Sequence, residues 1–496
     1  MTNHTSFEPP YILTLDVGTS STRVMLFDRH GHAIDDVLAH EAAKHHTSAD
    51  GAAEQDPTEA VERVARCIDT ALAQAGSRAS AIAAVAVDTY VSNLIALDEK
   101  GHALTPIMLY ADTRNADDAE QLRGQLDEHA VHDRTGCLLR TAYWPARLAW
   151  LHRTQPAIWQ RVARFGTLGE YLEAQLFGSS RISTSVASWS GLLDRRTLQW
   201  DAPLLDALGV RVEQLGELVD VSVPLRGLCA PFRSRWPALA DVPWFPAIGD
   251  GAAANLGSGC VDARMLALTI GTTGALRIVR TDTPTIPAGL WCYRIDARRS
   301  LLGGATSEGG NVFAWMHGAL RVEASADTEQ ALAGMPPDAH GLTILPLLAG
   351  ERSPGWAGNA KATISGLTTN TTPLEIVRAG LEAVAYRFAL IATTLIAPDA
   401  TPTIIASGGA LLQSPTWMQI CADVLGRTVV ASAETEATSR GAALLGLEAL
   451  GATNDLATLP AALGATFTPD PARHARYRDA VERQQWLYDR LIRHGQ

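Results

Sequence analysis

The sequence predicts an α/β protein built from two domains. Three observations lead there. The chain has 496 residues, too many for one ordinary core. Strand-like apolar runs alternate with helical patterns along its whole length. One strand–turn–strand pattern also occurs twice, about half a chain apart, as a duplicated domain plan would leave it. Domains of roughly 200–250 residues follow. A hydrophobic content of 47% with 19% charged residues is that of an ordered globular chain. The formal net charge of −12 argues against nucleic acid or an anionic membrane as the main partner.

The elements follow in order. Residues 11–28, "YILTLDVGTSSTRVMLFD", read as a hairpin: two apolar runs around a Gly-Thr-Ser-Ser-Thr turn, with Gly18 expected at an unusual φ. "DPTEAVERVARCIDTALAQA", from 56, is a helix: Asp56 caps it, Pro57 fits its first turn, and Glu59 complements its dipole. "AIAAVAV" at 81–87 is strand-length and ends at an acid, Asp88. No segment is long and apolar enough to span a bilayer. Further helices are expected at 115–128, 168–177, 373–396, 415–426 and 475–494, and residues 201–245 are expected to be loop-rich. "LTIGTTGALRIV" at 268–279 echoes the first hairpin, with Thr269 where the first copy has Asp16.

Several function classes drop out. The only lysines are Lys44, Lys100 and Lys361, and none follows a glycine, so there is no Walker A loop. The six cysteines form no CxxC pair, which fits free thiols in a reducing cytosol and no zinc site. The start, "MTNHTSFEPP", has neither the cationic stretch nor the apolar core of a signal peptide. No G-x-S-x-G occurs, which discounts a serine hydrolase. "HEAAKHH" at 40–46 reads as a solvated loop, Trp144, Trp150 and Trp159 as helix-face core, and Arg195 and Arg196 as surface charges.

Other stretches carry chemistry. A Gly-Thr-Ser turn exposes backbone N–H groups that converge into an anion nest, and its hydroxyls add donors. Two such nests facing each other across a cleft suit a polyphosphate. Magnesium, its usual companion, wants oxygen ligands, and Asp16 is placed to supply one; Asp16 also fits a turn-capping aspartate. In "FPAIGDGAAANLGSGC" at 245–260, Asp250 sits between glycines at a helix start, exposed and aimed as a general base would be. "IIASGGALLQSPTWMQICADVLG" at 404–426 reads as strand, Gly-Gly turn and helix, where a flat ring can lie on bare backbone. Taken singly, these last two also fit an ordinary turn and an ordinary strand-to-helix connection.

In order, "LDVGTSSTRVMLFD", "YADTR", "AIGDGAAANLGSG", "LTIGTTGALR", "GATSEGGNVFAW", "ATISGLTTNTTPLEIVRAGLE", "ASGGALLQSPTWMQICADVLG" and "EATSRGAALLG" resemble the FGGY carbohydrate kinases of the actin-like ATPase superfamily. The resemblance covers residues 11–450, and "TGCLLRTAYWPARLAWL", "TLGEYLEAQLFG" and "SVASWSGLLDRRTLQWD" look most like the gluconokinase branch. It implies two actin-like (ribonuclease H-like) domains, each a mixed sheet flanked by helices, at 1–256 and 257–496, around a central cleft. The first would carry the sugar site, the first phosphate hairpin and the base; the second, the other hairpin and the adenosine pocket.

The cofactors implied are ATP and Mg²⁺. Asp16 would organise the metal. Thr19, Ser20 and Ser21 would contact phosphates, with Arg23 following on the next strand and Thr272 in the second hairpin. Gly310, Gly409 and Gln413 would line the nucleotide pocket. Asp250 would take the proton of the sugar hydroxyl, and Asp112 and Arg114 fall on the sugar-side D-x-R element. The chain departs from the pattern at Val91 and Ser92, where gluconokinase-like members tend to have Trp-His; at Tyr110, where tryptophan is usual; at Arg147, which replaces lysine; and at Gly380, where a larger residue is common. The sugar-wall changes remove a ring and a titratable donor, so the acceptor could be gluconate, a ketopentose or a polyol. The resemblance further implies a small-molecule substrate, a cytoplasmic setting and a possible homodimer. An actin-like fold also serves nucleotide-dependent binding and assembly proteins; Asp250 and the Asp112/Arg114 pair favour a kinase.

Overall fold

The computed structural model describes residues 7–397 and 399–493. The first six residues of the N-terminal segment, and residue 494 at the end of the last expected helix, lie outside the described residues. The first hairpin forms as expected: β1 (Tyr11–Val17) pairs antiparallel with β2 (Ser21–Phe27). β3 (Ala33–Ala42) adds antiparallel to β2. On the other side of β1, β4 (Ile82–Thr89) and then β5 (Trp244–Gly249) add in parallel. The order is β3-β2-β1-β4-β5.

The second half repeats this plan with β6 (Met265–Ile270), β7 (Gly274–Arg280), β8 (Trp291–Arg294), β9 (Ser300–Thr306), β10 (Thr403–Ser407), β11 (Val429–Ser432) and β12 (Leu463–Phe467). Its inner order, β9-β7-β6-β10-β11, carries the same series of two antiparallel and two parallel pairings. β8 and β12 extend its edges. The duplication seen as two similar hairpins is therefore a duplication of whole sheets.

The helices obey local chemistry. In α1 (Pro57–Ala75) the Asp56 carboxylate accepts from the Thr58 and Glu59 N–H groups. The expected 168–177 helix is Leu168–Phe177, opened by a Thr167/Glu170 capping box. The expected 115–128 helix breaks in two, Ala116–Gln125 and Glu128–Thr135, because Leu126 is extended and Asp127 caps the second piece. Residues 201–245 hold short helices at Ala202–Leu208 and Ala230–Arg235. Five more helices complete the frame: α2 (Asp250–Gly257), α3 (Gly310–Leu320), α4 (Pro373–Leu395), α5 (Pro415–Leu425) and α6 (Ala437–Ala449). The C-terminal helix α7 is Pro471–Tyr488.

Alternation along the strands gives each sheet two unlike faces. Leu13, Leu15, Val24 and Leu26 pack with α1 on one outer side. Leu266, Leu268 and Ile270 pack with α4 and α5 on the other. The remaining faces look toward each other. Ile12, Met25 and Ala84 of the first sheet and Val279, Tyr293 and Leu301 of the second join one cluster with Ala252 and Leu256 of α2 and Ala442 to Leu445 of α6. These inward faces also carry Asp16, Arg23, Asp88, Thr269, Arg277 and Ser407.

α2 and α6 cross backbone to backbone. A Cβ on Gly257 would overlap the carbonyl oxygen of Ala437, and one on Gly441 would overlap that of Ala253. In sequence α6 lies between β11 and β12 of the second sheet, yet it packs on the first, where a Cβ on Gly446 would lie 3.3 Å from Ala86 and Ile12. The expected division at 256/257 falls on this crossing.

Trp144 and Trp150 are buried as expected. His40, His45 and His46 are exposed. All six cysteines are free thiols. Arg195 is no surface charge: it is buried, and its Nε donates to the Asp133 carbonyl at 3.1 Å. Arg196 is the exposed one and pairs with the Asp133 carboxylate. Among the described residues no helix is long and apolar enough to cross a membrane.

The crossing makes a direct prediction. Gly441→Ala is expected to cost about 1–3 kcal/mol or more in chemical denaturation, as overpacking against rigid backbone does. Gly124→Ala, in a helix where a Cβ meets nothing within 4 Å, is expected to be neutral or stabilising by about 0.5–1 kcal/mol.

Candidate active site

The site forms where the inward faces of both sheets meet the N-termini of α2 and α6. At the first hairpin the Gly18 N–H donates to the Ser21 carbonyl at 2.9 Å, closing the turn. Gly18 does not take the unusual φ expected of it, and neither does Gly271 of the second hairpin. Their use is room: a Cβ on Gly18 would press on the Ser21 carbonyl at 3.1 Å, while the space beside Gly271 is open. Ser20 is exposed, Thr19 is half-buried, and Ser21 is already buried in β2. Arg23 stands opposite Asp16 in the antiparallel register, its Nη1 3.5 Å from the Asp16 carboxylate and 3.8 Å from that of Glu436, the residue before α6.

Carboxylates outnumber cations here. Asp16 and Asp88 are register partners on the adjacent parallel strands β1 and β4. Burial raises the Asp16 carboxyl above its ordinary value, partly offset by Arg23. Asp88 is fully buried, and burial, then Asp16, then Asp250 push its carboxyl well up. Glu436 is raised by burial as well. Such an excess of hard oxygen donors fits a divalent cation such as magnesium.

Asp250 opens α2 and accepts the Gly251 N–H at 2.7 Å. It is half-buried, not exposed as the Gly-Asp-Gly reading expected. Burial first, with a contribution from Asp16, raises its carboxyl to about 6. The flanking glycines answer to Trp189, whose indole lies over them. A Cβ on Gly249 would sit 2.8 Å from Trp189 Nε1 and from Val91 Cγ1, and one on Gly251 would sit 3.2 Å from Trp189 Cη2. Trp189 in turn stacks on Tyr293 at a centroid distance of 3.5 Å, and Tyr293 on Trp291 at 4.6 Å.

Beside this stack Arg277 leaves β7 on the inward face. Among the described residues its only side-chain hydrogen bond is to Thr269 Oγ1, at 3.4 Å, and its Nε has no partner. Asp250 is the opposite charge that bears on it most, and Arg352 is a like charge nearby. Neither arginine lies within ion-pair distance of a carboxylate among the described residues.

The second hairpin faces a pocket of about 900 Å³ lined by Thr272, Gly310, Phe313, Ser325, Gly409 and Gln413. The four of these expected from sequence thus come together. The Gly310 N–H donates to Gly271 O at 2.7 Å, and a Cβ on Gly310 would sit 2.5 Å from that of Ala410. At Gly380 the missing side chain leaves room for Met316.

On the opposite wall Ser92 takes φ 57° and its hydroxyl donates to the Trp189 carbonyl at 2.9 Å. Arg147 is fully buried and holds this loop by donating to the carbonyls of Ser92, Leu109 and Thr141; burial lowers its guanidinium to about 10. Asp112 is fully buried too. It accepts from the Ala53 and Arg114 N–H groups and from the Arg114 guanidinium. Arg114 also reaches Glu54 at 2.5 Å and lies 4.5 Å over the Trp150 ring. This pair is spent on itself and its loop, while Tyr110 beside it is 54% exposed. Asp88, Trp189 and Arg277 are the site residues that sequence reasoning missed. Asp88 left a trace as the acid ending an apolar run, and Trp189 and Arg277 lie within quoted stretches, 185–201 and 268–277, without being singled out.

The model of the FGGY family of carbohydrate kinases, N-terminal domain, matches residues 11–257, and that of its C-terminal domain matches residues 266–450. A gluconokinase from Bacillus subtilis (strain 168) is 27% identical over 96% of this chain and 94% of its own length. A glycerol kinase from Citrifermentans bemidjiense is 31% identical over 88% and 89%. Crystal structures of a gluconate kinase and of a ligand-bound xylulose kinase, both from Lactobacillus acidophilus, superpose with TM-scores of 0.91 at 26% identity, covering 97% of this chain and 98% of theirs.

The raised Asp250 carboxyl has a thermodynamic consequence. A carboxyl raised in the folded state stabilises below its unfolded value, and that stabilisation is lost as pH rises through about 6. Asp250→Asn is therefore expected to melt higher than the parent at about pH 8 and at the same temperature below about pH 4, where both side chains are neutral. Calorimetry at the two pH values checks this.

Proposed function

Because the chain belongs to the FGGY family of carbohydrate kinases, an ATP-dependent family, we propose that it phosphorylates a hydroxyl of a gluconate-like sugar acid, with Asp250 as the general base. The observation that carries the reading is the half-buried Asp250 carboxyl at the start of α2, near enough to Asp16 and Arg277 to feel both charges. A carboxyl raised to about 6 is an effective proton acceptor near neutral pH. The acceptor hydroxyl gives its proton to Asp250, its oxygen bonds the γ-phosphorus, and the bond to the β-phosphate oxygen breaks to release ADP. Such a transfer asks mainly for positioning and charge stabilisation.

The remaining roles are assigned on the same reading. Thr19, Ser20, Ser21, Arg23 and Thr272 meet the phosphates from two sides. Gly310, Gly409 and Gln413 border the nucleoside. Asp16 serves Mg²⁺, which when bound offsets phosphate charge. Ser92 and Tyr110 face the sugar, and Asp112 and Arg114 set their loop. On this reading residues 1–256 carry the sugar site, the first phosphate hairpin and the base, and residues 257–496 carry the second phosphate hairpin and the adenosine pocket, with Arg277 and Arg352 reaching the acceptor from the second.

A sugar acid is favoured because Arg277 and Arg352 lack acidic partners, and a carboxylate would satisfy them. Two relatives carry the names gluconokinase and gluconate kinase. The second reading, a ketopentose or polyol, is favoured by Val91 and Ser92, and by relatives named xylulose kinase and glycerol kinase.

An ADP-release assay across hexonates, ketopentoses and polyols tests the acceptor. A hexonate is expected to give the highest kcat/KM; an uncharged acceptor in first place contradicts the sugar-acid assignment. Arg277→Gln is expected to raise the hexonate KM by about tenfold or more, a lost charge-assisted contact of roughly 1.5–3 kcal/mol, with the ATP KM little changed. Asp250→Ala is expected to lose about 10²–10⁴-fold in kcat while ATP still binds; a loss of only a few-fold rules out the base assignment.

A further inference from the structure

Asp88 is fully buried, and no N–H or hydroxyl group of the described residues reaches either of its carboxylate oxygens. It stands beside Asp16 in the parallel register of β1 and β4. Neighbouring strands lie about 4.7–4.9 Å apart, and side chains opposite each other share a face. Asp250 adds a third negative charge. The nearest cation, Arg23, is shared between Asp16 and Glu436. A dry carboxylate among like charges is costly unless a partner neutralises it.

The second half of the molecule provides a comparison. Thr269 and Ser407 occupy the matching register of β6 and β10, and their hydroxyls bond each other at 2.9 Å. One position of one sheet plan is thus neutral and self-satisfied in one half, and doubly acidic in the other, where Asp16 meets Arg23 and Asp88 meets no donor among the described residues. A hydroxyl pair suffices for the scaffold, so the acid pair answers to something else.

We propose that Asp88 is a second protein ligand, together with Asp16, for the divalent cation at the first hairpin. Paired carboxylates are the donors a hard cation prefers. The inference rests on the assignment of Asp16 to the cation and adds a residue from a separate strand. It also implies that the metal-free chain carries an internal repulsion which the cation relieves.

Mn²⁺ binding to the nucleotide-free, full-length chain, read by electron paramagnetic resonance, tests this. The arms are the parent, Asp16→Asn, Asp88→Asn and, as a smaller neutral variant, Asp88→Ser. The parent is expected to bind Mn²⁺, and each variant to bind it at least about tenfold more weakly, since affinity follows ligand charge count. Melting curves give a second readout. Without divalent ions Asp88→Asn is expected to melt above the parent, and Mn²⁺ is expected to raise the melting temperature of the parent but not of the Asp88 variants. Unchanged affinity in both Asp88 variants, with a loss in Asp16→Asn, overturns the role of Asp88 and leaves that of Asp16. Unchanged affinity in Asp16→Asn overturns the role of Asp16. A parent that binds no Mn²⁺ without nucleotide overturns the two-carboxylate site.

Discussion

The structure depends on two helices that touch backbone to backbone. At Gly257 and Gly441 there is no space for a methyl group, because the carbonyls of Ala437 and Ala253 occupy it. That contact brings α6, from the second half of the chain, onto the first sheet, and it fixes how the two inward faces meet. It also aims two helix starts at one place. Asp250 stands at the start of α2, and Glu436 immediately precedes α6. Moving the helices apart by a side chain would shift both acids relative to the hairpins. The buried cluster around the crossing contains residues of both sheets, so the halves share a core as well as a cleft.

The cleft itself trades stability for chemistry. Alternation along a strand sends Leu13, Leu15 and Val17 outward to α1, and the same alternation sends Asp16 inward. Asp88 stands beside it on β4 among small alanines, and Arg277 shares the inward face of β7 with Ala275 and Val279. Four acids and few cations around one opening form an arrangement that folding alone would not favour. The two halves have also diverged in charge on a common plan: Asp16 and Asp88 in one, Thr269 and Ser407 in the other. One half thereby offers a cation its oxygen donors, and the other offers a neutral contact beside a roomy pocket. Trp189 adds a rigid roof, and the Gly-Asp-Gly sequence makes sense as the flat surface beneath it.

Much of this was legible in the sequence where the signal is local. Hairpin turns, the Asp56 cap, the helices expected at 168–177 and 373–396, and the glycines of the pocket at the second hairpin follow from neighbouring residues. The features that escaped are tertiary. Asp88 reads as the end of an apolar run until β4 is placed beside β1. Arg277 reads as one polar residue in a strand until β7 is seen to face Asp250. Trp189 lies 61 residues before Asp250 and gives no sign that it will cover it. Arg195 looked like a turn charge, and its burial depends on the distant carbonyl of Asp133. The hairpin glycines were recognised, but for the wrong reason: room for approach, and not an unusual φ, is what they provide.

The central claim is that both hairpins and Asp250 act on one nucleotide tail and one acceptor. A crystal structure of the full chain with a non-hydrolysable ATP analogue and gluconate tests it most directly. The account predicts the terminal phosphate between Thr19–Ser21 and Thr272, and one gluconate hydroxyl within about 2.6–3.2 Å of the Asp250 carboxylate. A terminal phosphate held by one hairpin alone, or an acceptor bound away from Asp250, would contradict it.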